Sequence, residues 1–487
     1  MRKTKSQKVL AWSTKDIILN VLVYLINTAA IIGLYYLTVR INANEGLAKE
    51  GPFFTTTKFL HFILLMVITI SVMAMYLAFE EKDFLKRAVN SQMLFLIIEI
   101  GILACGAVGA YVNPYLRPLA LVALLTLFVT NRRTAIFTNV LFCVITFLFD
   151  FFGGNMFSDS YPVLIMGFSS GIIATLVMDK ASSRLRLLMR SLLVSLPSLL
   201  CVGMDIIENG ARTTVVADLV SAGLSGALAV AIFMILLPIF EASFKKVSSF
   251  KYSELTDHKS KLIKKLIQQA PGTFNHSIVV CNIAEACASA IDEDALLART
   301  CAYYHDVGKL RRPEFFKENQ ADGVNPHDDL TPELSANIIK AHALDGYNLI
   351  IKNRLPQEIA DVCLQHHGTL PIIYFYDKAK KFTDGEVDVM QYCYPGPKPK
   401  TKIAAIIMIA DGCEAAARSL QDRSRANVKK VVRKIVNDRM ELGQFDDCEI
   451  TLKELNIIIH TVVNNLTGIY HSRIEYPKVN LDGIDIN

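Results

Sequence analysis

The chain has 487 residues, 52% of them hydrophobic and only 20% charged, with a net charge of +5. That is too apolar for an ordinary soluble enzyme of this length, and the charge is too modest to point to a nucleic-acid polymer as partner. The ten cysteines form no C-x-x-C pair, and Cys105, Cys143 and Cys201 fall inside apolar runs. This excludes a disulfide framework and a thiolate zinc site and fits a reducing cytosol.

The apolar excess is confined to the first half. Residues 1–15 carry Arg2, Lys3, Lys5, Lys8 and Lys15 and read as a cytosolic N-terminus. The run Ile17 to Val39 follows without a small-residue cleavage site and is long enough for a retained spanning helix. Further runs are Phe59 to Phe79, Met93 to Val112, Pro118 to Thr130, Ala135 to Phe152, Tyr161 to Met178, Ser191 to Ile207 and Val216 to Phe240. Residues 16–240 are therefore predicted to be a transmembrane region of about eight helices in a lipid bilayer, the fourth short and the seventh interrupted by Pro197. Glu99 within the third run reads as a functional or interfacial group, and Ala222 and Gly226 as sites of close helix approach.

Lys82, Lys86 and Arg87, then Arg132 and Arg133, then Lys180, Arg184, Arg186 and Arg190, then Lys245 and Lys246 occupy alternate loops. The opposite loops hold little beyond Arg40, Lys49, Lys58, Arg117 and Arg212. This asymmetry predicts a multi-pass protein of the cell membrane with both termini in the cytoplasm. Residues 241–270 are polar and basic, with Leu255, Leu262, Leu266 and Ile267 at helical spacing, and read as a helical stalk ending at Ala270-Pro271-Gly272.

From residue 271 to 487 apolar residues recur at helical spacing, for example Ile278, Val279, Ile283 and Ala286, then Leu334, Ile338 and Ile339, then Val428, Val432 and Ile435. The fold class is all-α throughout: a multi-pass transmembrane helical domain followed by a cytosolic all-helical domain. The chemistry centres on His305-Asp306, where an imidazole and a carboxylate leave neighbouring positions and the carboxylate can bridge two cations. His276, His342, His366-His367 and Asp411 are read as lying at or near the ends of other helices, where ligands on packed stems can converge. Five histidines and two aspartates suit two divalent ions better than one, and a nitrogen-rich set favours manganese, iron or zinc over magnesium.

These residues, with Ala270-Pro-Gly-Thr, His305-Asp-Val-Gly-Lys, Asn325-Pro-His, Gln365-His-His-Gly-Thr and Pro395-Gly-Pro-Lys-Pro-Lys-Thr, resemble the HD-domain phosphohydrolases. More narrowly they resemble the membrane-bound seven-transmembrane HD family, the PgpH-type cyclic di-AMP phosphodiesterases. The resemblance implies a cytosolic HD domain over 271–487 that hydrolyses cyclic di-AMP to the linear dinucleotide pApA with manganese or iron. His276, His305, Asp306 and Asp411 would hold one ion, and His342, His366, His367 and Asp306 the other. Two such ions lower the pKa of a shared water and neutralise charge on a phosphodiester. Asp306 and Lys309 are then the candidate catalytic residues, and Lys309, Arg311, Arg312 and His327 the candidate substrate contacts. A homo-oligomer is compatible with the sequence.

The chain departs from the family pattern where a large extracellular domain usually separates the first two membrane helices, since only Arg40 to Lys58 lies there. Asn348 after Gly346-Tyr347, and Gly368 after His366-His367, do not match the HD-GYP pattern of cyclic di-GMP phosphodiesterases. The alternatives are a membrane receptor whose HD domain binds a cyclic dinucleotide without hydrolysis, or a hydrolase of another nucleotide such as cyclic di-GMP.

Overall fold

The computed structural model describes residues 13–44, 56–81, 84–153, 161–178, 184–244, 247–320, 325–382 and 385–469. Arg2, Lys3, Lys5, Lys8, Lys49, Lys82, Lys180, Lys245 and Lys246, which carry part of the topology expectation, lie outside them. Among the described residues the architecture is helical with no β-strand, one isolated bridge joining Pro371 to Cys393. Two compact units divide between Phe250 and Lys251.

The first unit holds α1 (Thr14–Asn44), α2 (Thr56–Glu80), α3 (Ala88–Tyr111), α4 (Leu121–Val129), α5 (Arg132–Gly153), α6 (Tyr161–Met178), α7 (Arg184–Asn209) and α8 (Val215–Phe244). Six of these, all but α4 and α6, are long and apolar enough to cross a membrane. The nine residues of α4 rise only about 14 Å. Its apolarity has another cause: Leu121, Val122, Ala123, Leu124 and Leu125 are fully buried, enclosed by α3, α5, α6 and α8. A helix hydrophobic on every side is surrounded by protein or by lipid, and around α4 it is protein.

In α7 the usual pattern is inverted. Leu185, Leu188, Leu192, Leu196 and Leu200 form an exposed stripe, while Ser191, Ser195 and Ser198 are buried towards α8. Gly226 of α8 sits against them, and a Cβ there would lie 2.2 Å from the Ser191 carbonyl oxygen. The close approach expected of Gly226 is thus present, and small residues on the contact face bring it about.

One charged position differs from expectation and another is narrowed. Arg117, read as an extramembrane loop charge, is 4% exposed and paired through both terminal nitrogens with Asp150 of α5, at 2.5 and 3.1 Å. Glu99 is the twelfth of 24 residues in α3, so it is not interfacial, and its Oε1 is buried without a hydrogen-bond partner.

The segment read as a stalk forms two short helices, α9 (Ser249–Leu255) and α10 (Lys261–Gln269). Leu255, Leu262, Ile263 and Leu266 are buried in the core of the second unit, because α10 is strongly two-faced and its apolar side has a core to join. The rest of that unit is α11 (Pro271–Ala290), α12 (Ala295–Tyr304), α13 (Pro332–Lys352), α14 (Gln357–Gln365), α15 (Ile373–Phe382), α16 (Lys402–Arg418), α17 (Arg425–Glu441) and α18 (Leu452–Ile469). Helix α16 is its axis: Ala404 to Ala410 are all buried, and α11, α12, α14, α17 and α18 pack around it. Side-chain caps fix three starts. Asp294 accepts from the Leu296 and Leu297 amides, Thr331 from Leu334, and Thr401 from Ala404.

Candidate metal centre

Five of the seven candidate ligands lie in or cap a helix of this packed set, and Asp306 and His367 follow directly on α12 and α14. His276 lies in the second turn of α11, His305 caps the C-terminus of α12 with Asp306 just after it, and His366 caps α14. Two placements differ from expectation: His342 and Asp411 lie inside α13 and α16, not at their ends. The glycines near them are points of close packing. A Cβ on Gly346 would lie 3.3 Å from both Cys363 Cβ and the Gly308 nitrogen, and one on Gly412 would lie 2.0 Å from Arg439.

All seven side chains converge. His276, His305 and Asp411 offer ligand atoms within 4.8 Å of one another, as do Asp306, His342, His366 and His367. Asp306 stands between the two groups. Its Oδ2 lies 3.2 Å from His305 Nε2 and 3.7 Å from His276 Nε2, and its Oδ1 lies 3.3 Å from His342 Nε2 and 3.6 Å from His366 Nε2. Asp411 also spans the groups, with Oδ1 3.1 Å from His276 Nε2 and Oδ2 3.7 Å from His367 Nδ1.

The tautomers follow from the backbone. His305, His342 and His366 donate from Nδ1 to the carbonyls of Ala302, Ile339 and Cys363, at 2.7, 2.6 and 2.8 Å. Each neutral ring then has only an acceptor at Nε2. His342 and His366 therefore point two acceptor nitrogens at each other, 3.3 Å apart, with a carboxylate oxygen beside them. His305 Nε2 and Asp306 Oδ1 are buried without a hydrogen-bond partner. Acceptors facing one another in a buried site repel unless a cation lies between them, so these residues fit a pair of divalent ions.

Electrostatic shifts differ between the two groups. Burial works against ionisation of Asp306 and Asp411, yet contacts with His305 and Lys309 hold the first carboxyl well below the usual range, and a hydrogen bond with His276 holds the second there. Burial and the neighbouring His366 push His367 well down, into the neutral ligating form. His276 is opposed by burial but raised to about 9 by hydrogen bonds to Asp411 and Glu414.

Around this centre, Lys309 Nζ lies 2.8 Å from both Asp306 Oδ2 and Glu318 Oε1. It lines a cavity of about 480 Å³ together with His276, Lys317, Asp411 and Arg418. Arg311 and Arg312 are exposed, Arg311 beside Asp345, and neither lines that cavity. His327 is buried, with Nε2 donating to the Phe315 carbonyl at 2.9 Å and its ring between Phe315 and Phe375.

Sequence reasoning missed Glu414, Glu318 and Tyr394. Glu414 meets His276 Nδ1, and Tyr394 stacks on His367 with ring centroids 4.3 Å apart. Glu414 was findable, since it lies one helical turn beyond Asp411 on the same face of α16. Glu318 and Tyr394 reach the site from irregular segments whose course no periodicity reports.

An all-α bundle with helices of membrane-crossing length, followed by a helical unit carrying His-Asp metal-ligand groups, defines a membrane protein with an HD domain. Comparison with known proteins agrees. The family described as "7TM receptor with intracellular HD hydrolase" matches residues 56–248, and the HD domain matches 273–416. The chain belongs to this seven-transmembrane HD family and is a multi-pass membrane protein. It is 36% identical over 432 residues to the cyclic-di-AMP phosphodiesterase PgpH of Bacillus subtilis strain 168, covering 85% of this chain and 60% of that protein. It is 38% identical over 366 residues to PgpH of Listeria monocytogenes serotype 1/2a, covering 74% of this chain and 50% of that one. It thus spans between half and three fifths of these relatives. The crystal structure of the L. monocytogenes PgpH HD domain in complex with cyclic-di-AMP is 48% identical, covering 44% of this chain and 99% of that one at a TM-score of 0.42.

Proposed function

We propose that this chain is a membrane-bound, metal-dependent phosphodiesterase that hydrolyses cyclic di-AMP to pApA. The observation that carries the reading is the pair of ligand groups with Asp306 between them, its two oxygens 3.2–3.7 Å from histidines of both, within a chain whose relatives are named cyclic-di-AMP phosphodiesterases. His276, His305 and Asp411 with Asp306 Oδ2 would hold one divalent ion, and His342, His366 and His367 with Asp306 Oδ1 the other. When bound there, such a pair supplies Lewis acidity and an activated water at neutral pH.

The protein's own groups do the rest. Fixed Nδ1 hydrogen bonds aim the imidazoles, and the buried Asp306 sets the spacing of the two groups. Lys309 holds Asp306 Oδ2 in place and adds positive charge to the wall of the cavity, where a phosphodiester would lie. The nitrogen-rich donor set supports manganese or iron, with zinc also suited, over magnesium. The HD unit faces the cytoplasm in this reading. Lys86, Arg87, Arg132, Arg133, Arg184, Arg186 and Arg190 support that orientation, and so does the removal of Arg117 from the opposite loops, since its charge is buried against Asp150.

The test uses the purified full chain in detergent, stripped of metal and supplied with Mn(II), Fe(II) or Zn(II), on cyclic di-AMP and cyclic di-GMP. Metal-dependent production of pApA that is lost in His366→Ala is expected. Tight binding without turnover under every metal would replace this reading with a receptor, and preference for cyclic di-GMP would overturn the substrate.

A further inference from the structure

The histidines of the centre are not all held by the same kind of partner. For His305, His342 and His366 the Nδ1 acceptor is a carbonyl three residues earlier in the same helix, which cannot move without unwinding the helix. His276 has no such bond. Its Nδ1 meets Glu414 Oε2 at 2.5 Å, a partner 138 residues away on α16. Glu414 is 1% exposed, and its other oxygen accepts from Arg418 Nε and Nη2 at 3.0 and 2.5 Å. Arg418 is one further turn along α16 and lines the cavity beside the ligands.

We propose that Glu414, clamped by Arg418, is a positioning residue for one half of the metal centre. It turns the His276 ring so that Nε2 faces the ion shared with His305 and Asp411, whereas His342 and His366 in the other half are aimed by main chain alone. This rests on the two-ion reading above. A carboxylate on the far nitrogen fixes the ring and raises the basicity of the ligating nitrogen, and losing one typically costs about 10- to 100-fold in metal affinity. The loss should fall on one ion only, because Glu414 contacts neither His342 nor His366.

The experiment counts ions. The full chain in detergent is stripped, titrated with Mn(II), and assayed for bound metal by atomic emission, as wild type, Glu414→Ala and Glu414→Gln. Two ions are expected in the wild type. Glu414→Ala should keep one at wild-type affinity and bind the other about 10- to 100-fold more weakly. Glu414→Gln, whose amide oxygen still accepts from Nδ1, should fall between and control for packing. Two ions at unchanged affinity in Glu414→Ala would overturn the proposal, and so would loss of both ions together. Fewer than two in the wild type would instead contradict the two-ion reading beneath it.

Discussion

Gly308, in His305-Asp-Val-Gly-Lys, offers the sharpest test of how the backbone builds this centre. The short helical turn Val307–Arg311 lies so close to α13 that a Cβ on Gly308 would stand 1.9 Å from the His342 carbonyl oxygen and 2.5 Å from the Gly346 nitrogen. Both neighbours are main chain, so no side chain can swing aside. Bringing the first contact to the 3.4 Å of ordinary packing requires the segments to part by 1.5 Å. One segment carries Asp306 and the other His342, and ligand constellations tolerate only about 0.5 Å of displacement. Gly308→Ala should therefore destabilise the soluble unit by about 1–3 kcal/mol, a fall of roughly 2–12 °C in Tm. It should also lower turnover by about 100-fold or more, with lost ion occupancy. Calorimetry, metal counting and kinetics on the full chain would show this. Wild-type turnover with two bound ions in Gly308→Ala would refute the argument.

Other expectations concern both units. Asp150→Ala leaves buried Arg117 without its carboxylate and should cost about 3–5 kcal/mol by thermal unfolding in detergent, with a double substitution to apolar residues recovering most of it. Chelation should lower the Tm of the soluble unit, since each ion present at 100 times its Kd contributes about 2.7 kcal/mol. Glu454 and Thr451 cap α18 reciprocally, the Thr451 amide donating to Glu454 Oε2 at 2.7 Å and the Glu454 amide to Thr451 Oγ1 at 3.2 Å. Its hydrogen bond from Lys402, then those from Thr451, hold the Glu454 carboxyl at about 2. Because that lies below the unfolded value of about 4.3, the stabilisation is complete above about pH 4.3 and fades as pH falls towards 2. Glu454→Gln should cost about 0.5–2 kcal/mol at pH 6 and almost nothing near pH 2, read from denaturant midpoints.

What could be read from the sequence was whatever repeats locally or bears unusual chemistry. The apolar runs located α1 to α8, and His305-Asp306 with His366-His367 drew attention to residues that the fold does bring together. Contacts between distant segments stayed hidden. Arg117 and Asp150 pair across helices, so a loop position looked like a surface charge. Hydropathy could not separate α4, enclosed by protein, from a helix enclosed by lipid, because both environments reward the same residues. At Gly346 and Gly412 another group packs against the helix, a contact that no local pattern reports. The apparent stalk was amphipathic because its apolar face is part of the second unit's core.

In the proposed phosphodiesterase Asp306 would be shared by two ions, and turnover measured against ion stoichiometry tests this most directly. Metal-free full chain is titrated with Mn(II) in the presence of cyclic di-AMP, and pApA is quantified at each equivalent. Turnover should rise as the second ion binds and be absent in Asp306→Asn at any metal concentration. Full turnover at one ion per chain, or in Asp306→Asn, would contradict the account.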